Sequence, residues 1–371
     1  MRSGHEPFPQ PATLLDSVSP YGSRRLTVEF DGATTAAYLH DETSVIAATW
    51  IANHVRAPDT SDQTRLNAGQ APVMPALRTR HPRGRPPLNP DTLYAVWFEE
   101  GDGVALLEHG TLLAVIPGWS DSGRGMPGYT REVIGQTPYG WSLDEAIEGL
   151  GPRVERASDF WHWRNSIAGW GRFQQAALAH LTSRLGPGAH YWDGAQGRRP
   201  TIGISERPPA PGRPYTVLST VGMSAQRMPM VEQVVDDPTE YSRIELAVAT
   251  TLPSGVAALV FLWLAGYPWR EVTWFGPGHS VRWYDRSTNF PLGGGYEGVL
   301  LLDDPSALPG PPAPDLSGFS MDGDPVRWLW IIPISERSRL TAKEHGSALL
   351  VSQLAAERRS WIVNPPAAAL R

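Results

Sequence analysis

Apolar and polar positions along this chain alternate in short runs, with two longer stretches at helical spacing. Thr34–Leu39 leads into a polar turn at His40-Asp41-Glu42, and Val45–Ala52 leaves it. This predicts short strands around a turn within Leu26–Asn53. The second run also fits a helix, because Ala, Ile and Trp satisfy both periods over so short a length. Leu93–Glu99, Val104–Leu107 and Thr111–Ile116 are tightly joined apolar runs, the first two separated by Glu100-Gly101-Asp102-Gly103. They predict an antiparallel meander. A short helix is expected over Asp144–Leu150 and a long one over Ser158–Leu185. The long one shows Phe160, Trp163, Ile167, Trp170, Ala177, Leu178, Leu181 and Leu185 on one face.

The second half continues strand, strand, helix, strand through Tyr215–Trp283, the last strand being Ser280–Tyr284. Then come a strand at Arg327–Pro333, a helix at Arg337–Ala356 and a closing strand at Ser360–Val363. The fold class this predicts is α+β: a mixed, mostly antiparallel sheet packed with helices, preceded by a smaller β-rich N-terminal unit. Residues 1–25 and 365–371 are expected to be flexible. The β-rich unit plus the long helix occupies 26–204, and a second domain 205–364. The boundary falls in the Pro-rich segment Ser205–Pro214; a second such stretch, Ala307–Pro314, reads as a surface loop.

Composition narrows the function. The 371 residues carry a net charge of −6, no cysteine and 15 tryptophans. Disulfides and thiolate metal sites are therefore excluded. The charge argues against a nucleic-acid partner, although Arg78–Arg85 could form a local basic patch. The start, MRSGHEPFPQ, lacks the apolar core of a signal peptide, and the apolar run Val256–Ala265 is about half the length of a membrane span. A soluble, cytoplasmic protein is expected, with no membrane contact, cofactor or metal.

Several short patterns invite chemistry. Gly123–Gly128 matches G-x-G-x-x-G after a predicted strand. However, Pro127, Gly135 and Pro138 leave no room for the helix that a dinucleotide site requires; a turn bringing Tyr129 against the sheet is the better reading. Gly222-Met223-Ser224 begins like a nucleophile elbow, yet Gln226 stands where a second glycine is required. Asp322 and Asp324 flank a glycine and could touch a cation, without the rest of a calcium loop. The histidines lack metal spacing. Arg243 and Glu245 lie two apart on a strand, hence on one face, and are read as a cross-strand pair or as part of a binding cleft. His279 follows a Pro-Gly turn, near Trp274 and Phe275.

The wording of the second half resembles the suppressor-of-fused family, in particular its bacterial members. The matching points are Thr220-Val221-Gly222-Met223-Ser224, Arg243-Ile244-Glu245-Leu246 and Phe275-Gly276-Pro277-Gly278-His279-Ser280, then Gly298–Leu302 and Trp330–Glu336. The resemblance covers Tyr215–Val363. It implies a non-catalytic protein-binding module: an immunity protein neutralising a partner toxin, or a regulatory protein that sequesters its partner. It also implies recognition of an extended peptide in a cleft between two lobes. The residues expected there are Arg243, Glu245, Trp274, Phe275 and His279. The alternative from the residues alone is an enzyme of unrecognised type, such as a serine hydrolase using Ser224.

Overall fold

The computed structural model describes residues 11–61, 63–194, 197–283 and 289–364. It divides into two compact units at Arg164/Asn165.

The first unit starts with four strands, β1 (Ala12–Val18), β2 (Arg25–Phe30), β3 (Thr34–His40) and β4 (Val45–Asn53), paired in chain order and antiparallel. Aspartates close the tight turns. The Asp31 carboxylate accepts from the Ala33 and Thr34 N–H groups at 3.0 and 2.9 Å, and Asp41 from Thr43 and Ser44 at 2.8 Å each. Such Asx bonds satisfy the turn backbone locally.

A second sheet follows, formed by β5 (Leu93–Trp97), β6 (Val104–Glu108), β7 (Thr111–Ile116), β8 (Tyr129–Thr130), β9 (Gln136–Thr137) and β10 (Gly140–Ser142), in the order β5-β6-β7-β8-β10-β9. The first three form the expected meander. Gly123–Gly128 is a turn whose exit delivers Tyr129 to β8, between β7 and β10. Leu26, Val28, Leu39 and Ile51 of the first sheet pack with Trp97, Leu106 and Ile116 of the second. On the second sheet's other face, Ala105, Leu107 and Val115 meet Val154 and Ala157 of the helix Ile147–Asn165.

The second unit is built on one large sheet. Its strands are β11 (Tyr191–Asp193), β12 (Gly203–Arg207), β13 (Thr216–Val221), β14 (Arg243–Thr250), β15 (Ser280–Arg282), β16 (Gly298–Leu302), β17 (Ser320–Met321) and β18 (Asp324–Ile334). The order is β11-β12-β13-β14-β18-β16-β15, with β17 beside β18. Among these strands β14 and β18 pair in parallel, and the other pairs are antiparallel. The helix Ile167–Leu185 buries Phe173, Ala177, Leu181 and Leu185, and its His180 ring stacks 5.2 Å from Trp328 of β18.

The structure corrects several expectations. Residues 12–18, placed in a flexible segment, form β1, because Leu14 and Leu15 pack against the sandwich core; the rest of that segment up to residue 10, and the tail 365–371, lie outside the described residues. So does Tyr284. The long helix breaks at Ser166, whose Oγ caps the second helix by accepting from the Gly169 N–H at 2.9 Å. Its predicted face breaks too: Ile167 is 93% exposed. Residues Leu143–Glu145 form only a 3-10 turn, and the first helix begins at Ile147. The C-terminal helix is likewise two, Glu336–His345 and Ser347–Ala356, divided at Gly346. Val363 makes a single parallel bridge to Thr250 instead of a strand. The Pro-rich segment after β12 connects it to its antiparallel partner β13, within the second unit. Among the described residues no helix is long and apolar enough to cross a membrane.

Candidate functional site

All eight residues of β14 are buried. A strand covered on both faces is normally apolar throughout, and Arg243 and Glu245, each 1% exposed, depart from that. The turn after β13 explains both. The Glu245 carboxylate accepts from the Gly222 N–H at 2.8 Å, the Ser224 N–H at 3.0 Å, the Ser224 hydroxyl at 2.7 Å and the Thr220 hydroxyl at 2.6 Å. Arg243 Nη1 donates to the Ser224 carbonyl at 3.2 Å. The two side chains thus hold one residue from its amide side and its carbonyl side. Gly222 is required by this geometry: its φ is +125°, and a Cβ there would lie 2.6 Å from the Thr201 carbonyl oxygen.

Asp324, at the start of β18, completes the network. It accepts from Arg243 Nε at 2.9 Å and from Arg227 Nε and Nη2 at 2.8 and 2.9 Å. Buried charges are tolerable only when paired and hydrogen-bonded in this way. Burial pushes the Glu245 carboxyl above its ordinary range, against the opposing pull of Thr220, Ser224 and Gly222. Asp324 is thus an anchor for two arginines, which corrects its reading as one arm of a cation loop. Ser224 is fully buried with its hydroxyl given to Glu245, so the elbow-like motif does not present a nucleophile to solvent. Among the described residues no three His, Asp or Glu side chains are grouped as metal ligands would be.

The Phe275–Ser280 loop is tied to this turn through Met228. The Met228 N–H donates to the Ser242 carbonyl at 2.9 Å, and its sulfur accepts from the Phe275 N–H at 3.4 Å. Backbone bonds then fix the loop against β16: Gly278 N–H to the Leu301 carbonyl at 2.7 Å, and Leu301 N–H to the His279 carbonyl at 2.8 Å. Phe275 is buried and stacks on Tyr267 at 5.7 Å. Trp274 lies edge-on to the His279 ring at 4.5 Å. Gly276 permits this fold-over, since a Cβ would come within 2.5 Å of the Trp274 ring. Burial lowers the His279 pKa, partly offset by a hydrogen bond with the Trp274 carbonyl. The loop feeds β15, which ends the sheet order.

Of the five residues expected at an interface, Arg243, Glu245 and Phe275 are therefore buried structural anchors, while Trp274 and His279 are half-buried at the surface. The structure adds two that the sequence did not single out. The Tyr241 ring meets Trp274 at 6.2 Å, edge-on, and the Arg327 guanidinium sits 4.5 Å over Tyr241. Arg327 also bonds Glu240 at 3.1 Å and approaches Asp303 at 3.6 Å. These three residues line a groove of about 770 Å³ with Phe319 and Trp328. His279, Trp274, Tyr241 and Arg327 thus form one continuous band leading into a groove. No spacing rule could have found it, because Tyr241 precedes β14 and Arg327 lies in β18. The other tryptophans divide: Trp269 is fully buried, its Nε1 donating to the Arg227 carbonyl at 2.8 Å, whereas Trp263 and Trp283 meet edge-on at 5.0 Å and are half-buried.

Comparison with known proteins agrees with the wording of the motifs. Residues 198–366 match the model of the Suppressor of fused protein (SUFU) family. No curated protein matches the sequence. Similar solved structures include a SUFU homologue from Neisseria gonorrhoeae, with 16% identity and a TM-score of 0.36, covering 52% of this chain and 93% of that one. A Sufu–Fu complex has 12% identity and a TM-score of 0.37, covering 52% and 89%. Drosophila Suppressor of Fused has 11% identity and a TM-score of 0.37, covering 52% and 49%. The buried network joining Thr220–Ser224 to Arg243–Leu246 and the loop Phe275–Ser280 all lie inside residues 198–366, the region that matches the suppressor-of-fused family.

Proposed function

We propose that this chain is a non-catalytic protein-binding module that sequesters a protein or peptide partner, with neutralisation of a toxin as the form suggested by its resemblance to bacterial members of the suppressor-of-fused family. The observation that carries the reading is the band His279–Trp274–Tyr241–Arg327. Trp, Tyr and Arg are the residues that concentrate binding energy at protein interfaces, and here all three are half-buried, Trp274 beside a loop fixed by backbone bonds and Arg327 on a strand of the sheet. That rigidity lowers the ordering cost of association. β15, at the end of the sheet, offers an extended partner main-chain hydrogen bonds beside this band.

The test is affinity for the partner recovered from the native host, measured with folded variants. Trp274→Ala and His279→Ala are expected to weaken binding about thirty-fold, as for a truncated anchor worth about 2 kcal/mol, with circular dichroism unchanged. Unchanged affinity in both folded variants would remove the band from the interface. The toxin form is checked by co-expression with a toxin from the same locus, which should restore growth. The rival hydrolase reading is checked with a broad fluorophosphonate, which should leave Ser224 unlabelled.

A further inference from the structure

The first unit concentrates positive charge on three segments that the fold stitches together. Residues 76–85 lie between 53–58 and 131–134. On one side the Ala76 N–H donates to the Pro58 carbonyl, Ala57 N–H to Pro82 and Arg85 N–H to Asn53, at 2.8, 2.8 and 2.9 Å. On the other, Arg80 N–H donates to the Glu132 carbonyl at 2.9 Å and Ile134 N–H to Arg78 at 3.0 Å, around a Thr79–Val133 bridge. In a chain of net charge −6, these three segments hold six arginines and a single acid, Glu132.

Two of the six are neutralised: Arg80 by Asp144 at 2.5 Å, and Arg85 by Glu108 at 2.8 Å. Glu132 is buried, its carboxylate taken by His81 at 2.5 Å. Arg56, Arg78, Arg83 and Arg131 are exposed and make no ion pair among the described residues. Between them stand three exposed aliphatic side chains, Leu77 at 86%, Ile134 at 45% and Val55 at 40%.

We infer that this ridge is a second docking surface, for an acidic polypeptide segment that carries aliphatic residues among its carboxylates. Charge complementarity selects an anion. The choice of polypeptide over nucleic acid comes from the other half of the surface: aliphatic side chains are interleaved with the arginines, and no exposed Phe, Tyr or Trp is present in the three segments. Single-stranded nucleic acid is held by aromatic stacking along a basic track. Arginine's planar fork suits paired carboxylate contacts, and Leu77 and Ile134 offer apolar area between them. This surface shares no residue with the Trp274 band and does not depend on it.

Fluorescence anisotropy with the full-length protein tests the inference. The probes are a labelled 12-residue peptide of Glu and Leu in equal number, an all-Glu peptide of the same length, and a 20-nucleotide single-stranded DNA. The Glu/Leu peptide is expected to bind saturably, more weakly as salt rises. Arg78→Ser/Arg83→Ser, and separately Arg56→Ser/Arg131→Ser on the flanking segments, should each weaken it at least about fivefold. Leu77→Ser should weaken the Glu/Leu peptide more than the all-Glu peptide. The inference is overturned if the peptide does not bind saturably, if both folded double variants bind as the wild type does, or if the DNA binds more tightly than the peptide.

Discussion

The two units solve the same problem, a tight turn between strands, in opposite ways. In the first unit three turns are satisfied from within: Asp31, Asp41 and Asp121 accept from backbone N–H groups two and three residues ahead. In the second unit the turn after β13 is satisfied from outside, by a carboxylate 21 residues further along the chain from Ser224. A local turn can break at little cost to its neighbours. A turn held by a buried carboxylate, itself flanked by a buried arginine and a distant aspartate, fails only together with the sheet.

The largest effect that separates the two is expected from Glu245→Ala. It leaves the Gly222 and Ser224 donors buried without an acceptor, at a cost of about 4 kcal/mol or more. Hydrogen exchange on the full chain should show lost protection across β12–β18, with β2–β7 unchanged. Equal loss in both units would break the comparison. Asp324→Ala should follow, at about 3 kcal/mol, because it removes the carboxylate hydrogen-bonded to the buried Arg243 and leaves Asp322 at 3.9 Å. Denaturant unfolding would measure it, and a cost below about 1 kcal/mol would mean that Arg243 finds another partner. Asp41→Ala should cost only about 1 kcal/mol, the worth of local turn bonds.

The smallest effect is one of pH, and its sign differs between the units. Glu245 is raised in the fold, so its contribution is full below its ordinary pKa of 4.5 and is lost as pH rises through the folded value. The stability of the wild type relative to Glu245→Gln should therefore fall with rising pH. Asp41 is lowered from 3.8 to about 2 by the Thr43 and Ser44 hydrogen bonds, so its contribution is present above 3.8 and is lost as pH falls through about 2. The stability of the wild type relative to Asp41→Asn should rise with pH. Melting the three proteins across pH would show two slopes of opposite sign; two of the same sign would sink the contrast.

This contrast also explains what could be read in the sequence. The hairpin around Asp41 and the meander β5–β7 were legible because their turns and alternation lie within a few residues of one another. The break at Ser166 was not, since the apolar spacing runs through it and only the cap reveals it. Arg243 and Glu245 were visible as two charges on one strand face, but their roles were not. Those depend on Ser224 and Asp324, which only the folded sheet brings to them. The same holds for the surface band: Trp274 and His279 stood out by their loop, whereas Tyr241 and Arg327 join them from β14's approach and from β18. Family resemblance marked the right segments without saying that most of their polar side chains face inward.

The Arg243–Asp324 pair also sets a clock for synthesis. The two residues are 81 positions apart, which at about 5–20 residues per second is roughly 4–16 s of translation. Until β18 leaves the ribosome, β14 can pair with its antiparallel neighbour β13 but not with the parallel one, which does not yet exist. The apolar stretch Leu246–Ala249 lacks this neighbour through that interval. The β14–β18 pairing is therefore closed late in synthesis, and a nascent chain stalled between these two codons is expected to expose one edge of β14.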